Sequence, residues 1–142
     1  MSNEDLHKVF AGDVSSIKKI GYEDLNGLSF QGEYIDIFLY RFDKIKLTNN
    51  LTAEDDFEGY RIDYDKCCSN WRKQIELINN DYSAFAFPYS MYTDNSKLVK
   101  LLSDQMYNPN NYFKVINLEN GGYRLFIVCP KERLLILYRI SI

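Results

Sequence analysis

Histidine occurs once in this chain, at His7, and that scarcity removes much of enzyme chemistry from consideration. A histidine general base needs a nucleophile or acid within hydrogen-bond reach, and nothing local to His7 supplies a catalytic partner. We read His7 as a solvated helix residue. Cysteine is nearly as scarce. Cys67 and Cys68 are neighbours and Cys129 stands alone in an apolar run. This odd, scattered set is not a disulfide framework, and a bond between neighbours would be strained because their Cα atoms lie only about 3.8 Å apart. With one histidine and no CxxC pair, zinc lacks its usual ligands. The sequence has no GxSxG elbow and no Ser-x-x-Lys with its companion motifs. Asn120-Gly121-Gly122 lacks the lysine and the strand-to-helix context of a phosphate loop. We therefore expect no catalytic residue, no metal and no cofactor.

Long apolar runs are missing as well. No stretch approaches the roughly 20 residues of a membrane helix, and residues 1–20 mix Glu4, Asp5, Lys8, Asp13 and Lys18 among the apolar positions, unlike a secretory signal. We expect a cytoplasmic protein, with no membrane partner and an accidental glycosylation triplet at Asn50-Leu51-Thr52. A positive footprint is also lacking. The net charge is −3 and the pI about 5.2, which disfavours direct nucleic-acid binding. Lys18-Lys19 and Arg41/Lys44/Lys46 are the only candidate basic sets, and both are thin.

What is present is an ordinary globular composition with a surplus of rings. Hydrophobic residues make 46% of the chain and charged residues 26%, values that support a single domain over 1–142 with its own core. Aromatic residues reach 15%, led by twelve tyrosines, whose apolar bodies and polar tips suit half-wet surfaces as well as cores.

Periodicity places the elements. Leu6, Val9 and Phe10 share one face of a short helix over 3–11, capped by Ser2 or Asn3. Residues 14–26 fit a helical turn or a strand equally well. Residues 28–47 read as β structure, with a turn at Gln31-Gly32 and a bulge or bend near Arg41–Lys44 that allows one long strand. Thr48–Asp56 reads as a loop and Tyr60–Tyr64 as a short edge strand. Asp65 caps a second helix, on which Cys67, Cys68, Trp71, Ile75 and Ile78 recur at helical spacing until Asn79-Asn80. Ser83–Phe87 reads as a strand and Leu98, Leu101, Leu102 and Met106 as the stripe of a third helix. Strands at 112–118, 123–129 and 134–142 form a meander, and the last two are apolar on both faces, so the sheet needs cover on both sides. The final strand, ending at Ile142, is a candidate edge for pairing. The sum is an α+β fold: a bent antiparallel sheet or partial sandwich, a C-terminal three-stranded meander and about three helices.

One stretch stands out chemically. From Glu54 to Asp65 carboxylates alternate with rings, and Arg61 is the lone local counter-charge. Calcium is a poor fit, because the spacing of an EF-hand loop is absent. The segment reads as a binding surface: tyrosine supplies contact area at low entropy cost and carboxylates steer a basic partner. The candidate partner-binding residues are Glu54, Asp55, Asp56, Glu58, Tyr60 and Asp63.

Asp63-Tyr64-Asp65 ahead of a helix bearing Trp71, Ile75 and Leu77, then Ser83-Ala84-Phe85-Ala86 and Ser90-Met91-Tyr92, resembles bacterial immunity proteins of contact-dependent growth inhibition and related polymorphic toxin systems. The resemblance covers residues 63–92. It implies a small, acidic, cytosolic, non-enzymatic protein, sandwich-like with a helix across the middle, that neutralises the toxic C-terminal domain of a cognate toxin, often a nuclease. Two other readings stay open: a small enzyme whose carboxylates converge only in space, and a generic adaptor or phage-type regulatory protein.

Overall fold

The computed structural model describes residues 1–25, 34–63, 65, 70–73, 97–119 and 122–141. Among these, the centre of the molecule is a six-stranded antiparallel sheet. Its strands are β2 (Lys18–Asp24), β3 (Tyr34–Arg41), β7 (Arg72–Lys73), β8 (Tyr112–Leu118), β9 (Gly122–Cys129) and β10 (Leu134–Ser141), in the spatial order β2-β3-β10-β9-β8-β7. Two small ladders stand apart: β1 (Phe10–Ala11) with β4 (Lys46–Leu47), and β5 (Asp56–Phe57) with β6 (Tyr60–Arg61). Two α-helices are described, α1 (Asn3–Val9) and α2 (Lys97–Met106), together with a 3-10 turn at Val14–Ser16. The class is α+β and the sheet is antiparallel, as the strand patterning predicts.

Strand alternation sorts the sheet residues into two faces, and both are covered. On one face Ile116, Leu118, Phe126, Val128, Leu135 and Leu137 pack beneath Leu6, Val9 and Phe10 of the N-terminal segment and beneath Leu51, Phe57 and Ile62. On the other, Ile37, Val115, Leu125, Ile127, Ile136 and Tyr138 pack under Val99 and Leu102 of α2. The apolar centres of β9 and β10 require this double cover.

Local chemistry explains the ends of the elements. Ser2 caps α1 by accepting from the Asp5 N–H, and Glu4 and Asp5 lie in the first turn, where the helix dipole favours negative charge. Asp13 caps the 3-10 turn through the Ser15 N–H. The ambiguous stretch 14–26 divides between that turn and β2, which carries an irregularity between Lys19 and Gly21.

Several expectations are corrected. Residues 34–47 are not one strand: the chain bends after Arg41, and Lys46–Leu47 leaves the main sheet to pair with Phe10–Ala11. Asp56, expected in a loop, opens the β5–β6 hairpin. The helix expected from Asp65 to Asn79 fails at Arg72–Lys73, which pair with Phe113 and Tyr112 as β7. Trp71 drives that outcome. Its ring packs on Phe10 and Phe126 and its indole N–H donates to the Val9 carbonyl at 3.1 Å, so tertiary contacts override local helical spacing. The last strand is no edge, since β10 lies between β3 and β9. Residues 66–69 and 74–79 of that expected helix, Cys67 and Cys68 among them, the turn at Gln31-Gly32, the strand at 83–87 and the cap at 94–96 lie outside the described residues.

Candidate functional site: an acidic hairpin clamped to a buried ion-pair network

The hairpin β5–β6 turns through Glu58 and Gly59, with φ of 50° and 83°. Two consecutive positive φ angles make the tight turn that matches strand twist, a role usually taken by Asn-Gly or Asp-Gly. Glycine adopts the second position freely; Glu58 does so at a steric cost. The hairpin faces alternate. Phe57 is fully buried, edge-on to Phe126 at 5.8 Å, while Asp56 and Arg61 point to solvent. The chain beyond it is stitched to β8: Ile62 bridges Leu118, the Asp63 N–H donates to the Asn117 carbonyl at 2.9 Å, and the Glu119 N–H donates to the Arg61 carbonyl at 2.8 Å.

Glu58 is drawn inward by two arginines. Arg124, wholly buried, donates through Nε to Glu58 Oε1 at 2.7 Å, and Arg139 donates through Nη1 to Oε2 at 3.0 Å. Arg139 also grips Asp36 in bidentate fashion, Nε to Oδ1 at 2.7 Å and Nη2 to Oδ2 at 2.5 Å. The Tyr22 hydroxyl donates to Asp36 Oδ2 at 3.2 Å. Rings flank the set: the Arg139 guanidinium lies 4.6 Å from the Phe38 ring centre and that of Arg124 lies 6.0 Å from Tyr60. Burial, then the Glu58 charge, pushes the Tyr40 phenol up to about 12. Desolvation, then the Asp36 charge, also raises Tyr22. Two carboxylates thus meet two guanidiniums, and each carboxylate is held at both oxygens. The arrangement fixes the hairpin on the sheet.

The predicted partner-binding residues separate accordingly. Glu54 and Asp56 are exposed. Asp55 folds back to accept from Thr52, at 2.6 Å from its N–H and 3.2 Å from its hydroxyl. Tyr60 is half-buried beside Arg124, and Asp63 accepts from the Asp65 N–H at 3.0 Å. Glu58 belongs to the network. Sequence reasoning missed Asp5, which the fold brings to this edge: Lys8 bridges its carboxylate at 3.2 Å and the Asp56 carbonyl at 2.5 Å. It also missed Asp36, Arg124 and Arg139. The available signal was a charged residue in the middle of each of three apolar strands, two positive and one negative, which asks for cross-strand pairing.

Among the described residues no three histidine, cysteine or acidic side chains converge as metal ligands, and no helix is long and apolar enough to cross a membrane. No family model, no curated protein and no solved structure matches the chain.

Proposed function

We propose that this protein is an immunity-type inhibitor that neutralises the toxic domain of a cognate bacterial toxin, a nuclease by the class its sequence resembles, through binding alone. The observation that carries the reading is the division of its acidic segment. Glu58 is locked by Arg124 and Arg139, while Glu54 and Asp56 stay outside next to Asp5 on a rigidly held rim. A rim of that kind supplies long-range attraction for a basic surface and pays little ordering entropy on contact. The interface would bury roughly 1,200–2,000 Å² in total and mask a substrate groove or an exosite. The enzyme reading needs paired acids in a cavity, and Asp36 and Glu58, which approach each other through Arg139, are each engaged by guanidinium.

The test is co-expression with the toxin domain encoded beside it, scored by a stable complex and by rescue from toxicity. Reversal of the exposed Glu54 and Asp56 to lysine should slow association by about tenfold at low salt and flatten its salt dependence. Full rescue with unchanged kinetics would move the interface elsewhere; no complex and no rescue would end the immunity reading.

A further inference from the structure

The β9–β10 turn, the ends of β3 and β4, and the start of β2 lie together, and there the charge pattern of the chain reverses. Lys18 and Arg41 are register partners across β2 and β3, Arg41 pairs with Leu134 at the start of β10, and the Phe42 N–H donates to the Arg133 carbonyl at 3.1 Å. The two basic sets that look thin in the sequence thereby become one. Lys18, Lys19, Arg41, Lys44, Lys46, Lys131 and Arg133 are all exposed, against the exposed carboxylates Asp13, Asp43 and Glu132. The Asp13 carboxylate is turned to Ser15, which donates to it through both N–H and hydroxyl. None of these cations forms an ion pair with a described carboxylate.

A cavity of about 820 Å³ opens at this end. Phe42, Tyr112 and Val128 give it an apolar floor, and Lys44, Lys46 and Arg133 stand on its lining with Asp13 and Asp43. Its volume lies in the range of small-molecule sites, roughly 300–1,000 Å³, and a mostly apolar wall with a few placed charges is their usual chemistry. We propose that this cavity binds a small amphipathic anion, with its apolar body on Phe42, Tyr112 and Val128 and its terminal carboxylate or phosphate among Lys44, Lys46 and Arg133. Charge complementarity selects the anion: the lining holds three cations, Lys44, Lys46 and Arg133, against the two acids Asp13 and Asp43. The site is remote in chemistry from the acidic rim and does not depend on what that rim holds.

The experiment uses the intact chain and the fluorescent aromatic sulfonate 8-anilinonaphthalene-1-sulfonate, with dodecanoate, adenosine monophosphate and dodecanol as competitors. A saturable one-to-one signal is expected while circular dichroism keeps the native spectrum. Dodecanoate displacing the dye identifies an acyl carboxylate, and the nucleotide displacing it identifies a nucleoside phosphate; either supports the site. Joint reversal of the exposed Lys44, Lys46 and Arg133 to glutamate should weaken dye binding by about tenfold or more. Ala11→Trp, which fills the cavity from an exposed lining position, should abolish it and serves as the independent variant if the triple substitution lowers the melting temperature. The proposal is overturned if the dye binds Ala11→Trp unchanged, if neither anion displaces it, or if dodecanol competes as well as dodecanoate.

Discussion

Glu58 carries more of this structure than any other acid in its segment. Its carboxylate faces a wholly buried guanidinium, so Glu58→Ala should take the Glu58 carboxylate from Arg124 and destabilise the protein by about 3 kcal/mol. Glu58→Gly removes the same carboxylate but relieves the positive φ, so it should lose about 1 kcal/mol less than the alanine variant. Urea unfolding of the pair separates the ion-pair contribution from the backbone contribution. Two buried acidic groups set the alkaline limit. The Tyr40 phenol, ordinarily at 10.0, and the Cys129 thiol, ordinarily at 9.0, are both pushed up to about 12, mainly by burial. Below pH 9 both are protonated whether the chain is folded or not, and their contribution is full. From pH 9 to 12 the unfolded chain releases these protons first, so stability falls across that window. Urea midpoints at pH 8, 10 and 11 should decline, and Tyr40→Phe should remove the part of the decline that begins near pH 10. At this scale the sequence conceals the essential fact. The run Glu54–Asp65 reads as uniformly outward because the partners of Glu58 lie 66 and 81 residues away, and local spacing carries no trace of them.

At the scale of elements, α2 is held by a narrow stripe. Val99 and Leu102 are fully buried against the sheet, so Leu102→Ala should cost about 2–5 kcal/mol by the same denaturation measurement. Gly21 governs how closely the helix approaches β2. A Cβ there would stand 3.4 Å from Leu39 Cβ and 3.6 Å from the Leu98 methyls. Gly21→Ala should therefore be tolerated within about 0.5 kcal/mol, whereas the added methyls of Gly21→Val should push against Leu98 and cost about 1–3 kcal/mol. Elements with a strong period of their own were legible: α1 as far as Val9, the Leu98–Met106 stripe and the C-terminal meander follow their apolar spacing, whereas Phe10–Ala11, expected in the first helix, pairs as β1. Arg72–Lys73 was not legible, because two residues cannot display a period and Trp71 is placed by Phe10 and Phe126, distant in sequence. The bend near Arg41–Lys44 was legible, but not that the chain leaves the main sheet after it. Ile45 and Leu47 keep the alternation of β3, yet Leu47 pairs in a different ladder.

Over the whole molecule, the modest net charge of −3 conceals a separation of sign. Glu54, Asp56 and Asp5 lie at the hairpin edge with Lys8 and Arg61, and Lys18, Arg41, Lys44, Lys46, Lys131 and Arg133 lie toward the β9–β10 turn. Net charge and pI average over that separation. The fold class could be read from patterning, whereas the joining of Lys18–Lys19 to Arg41, Lys44 and Lys46 required the β2–β3 register. The placement of β10 has one more consequence, and it concerns time. Residues 134–141 follow every other strand of the sheet in chain order yet unite β3 with β9. During synthesis the earlier strands of this sheet emerge from the ribosome as two groups with no ladder between them, each presenting apolar side chains to solvent or to a chaperone. Native pairing then awaits the closing of long loops, a slow step for β-rich topologies. A nascent chain arrested at residue 133 should remain protease-sensitive, and release of eight further residues should confer resistance in a single cooperative transition.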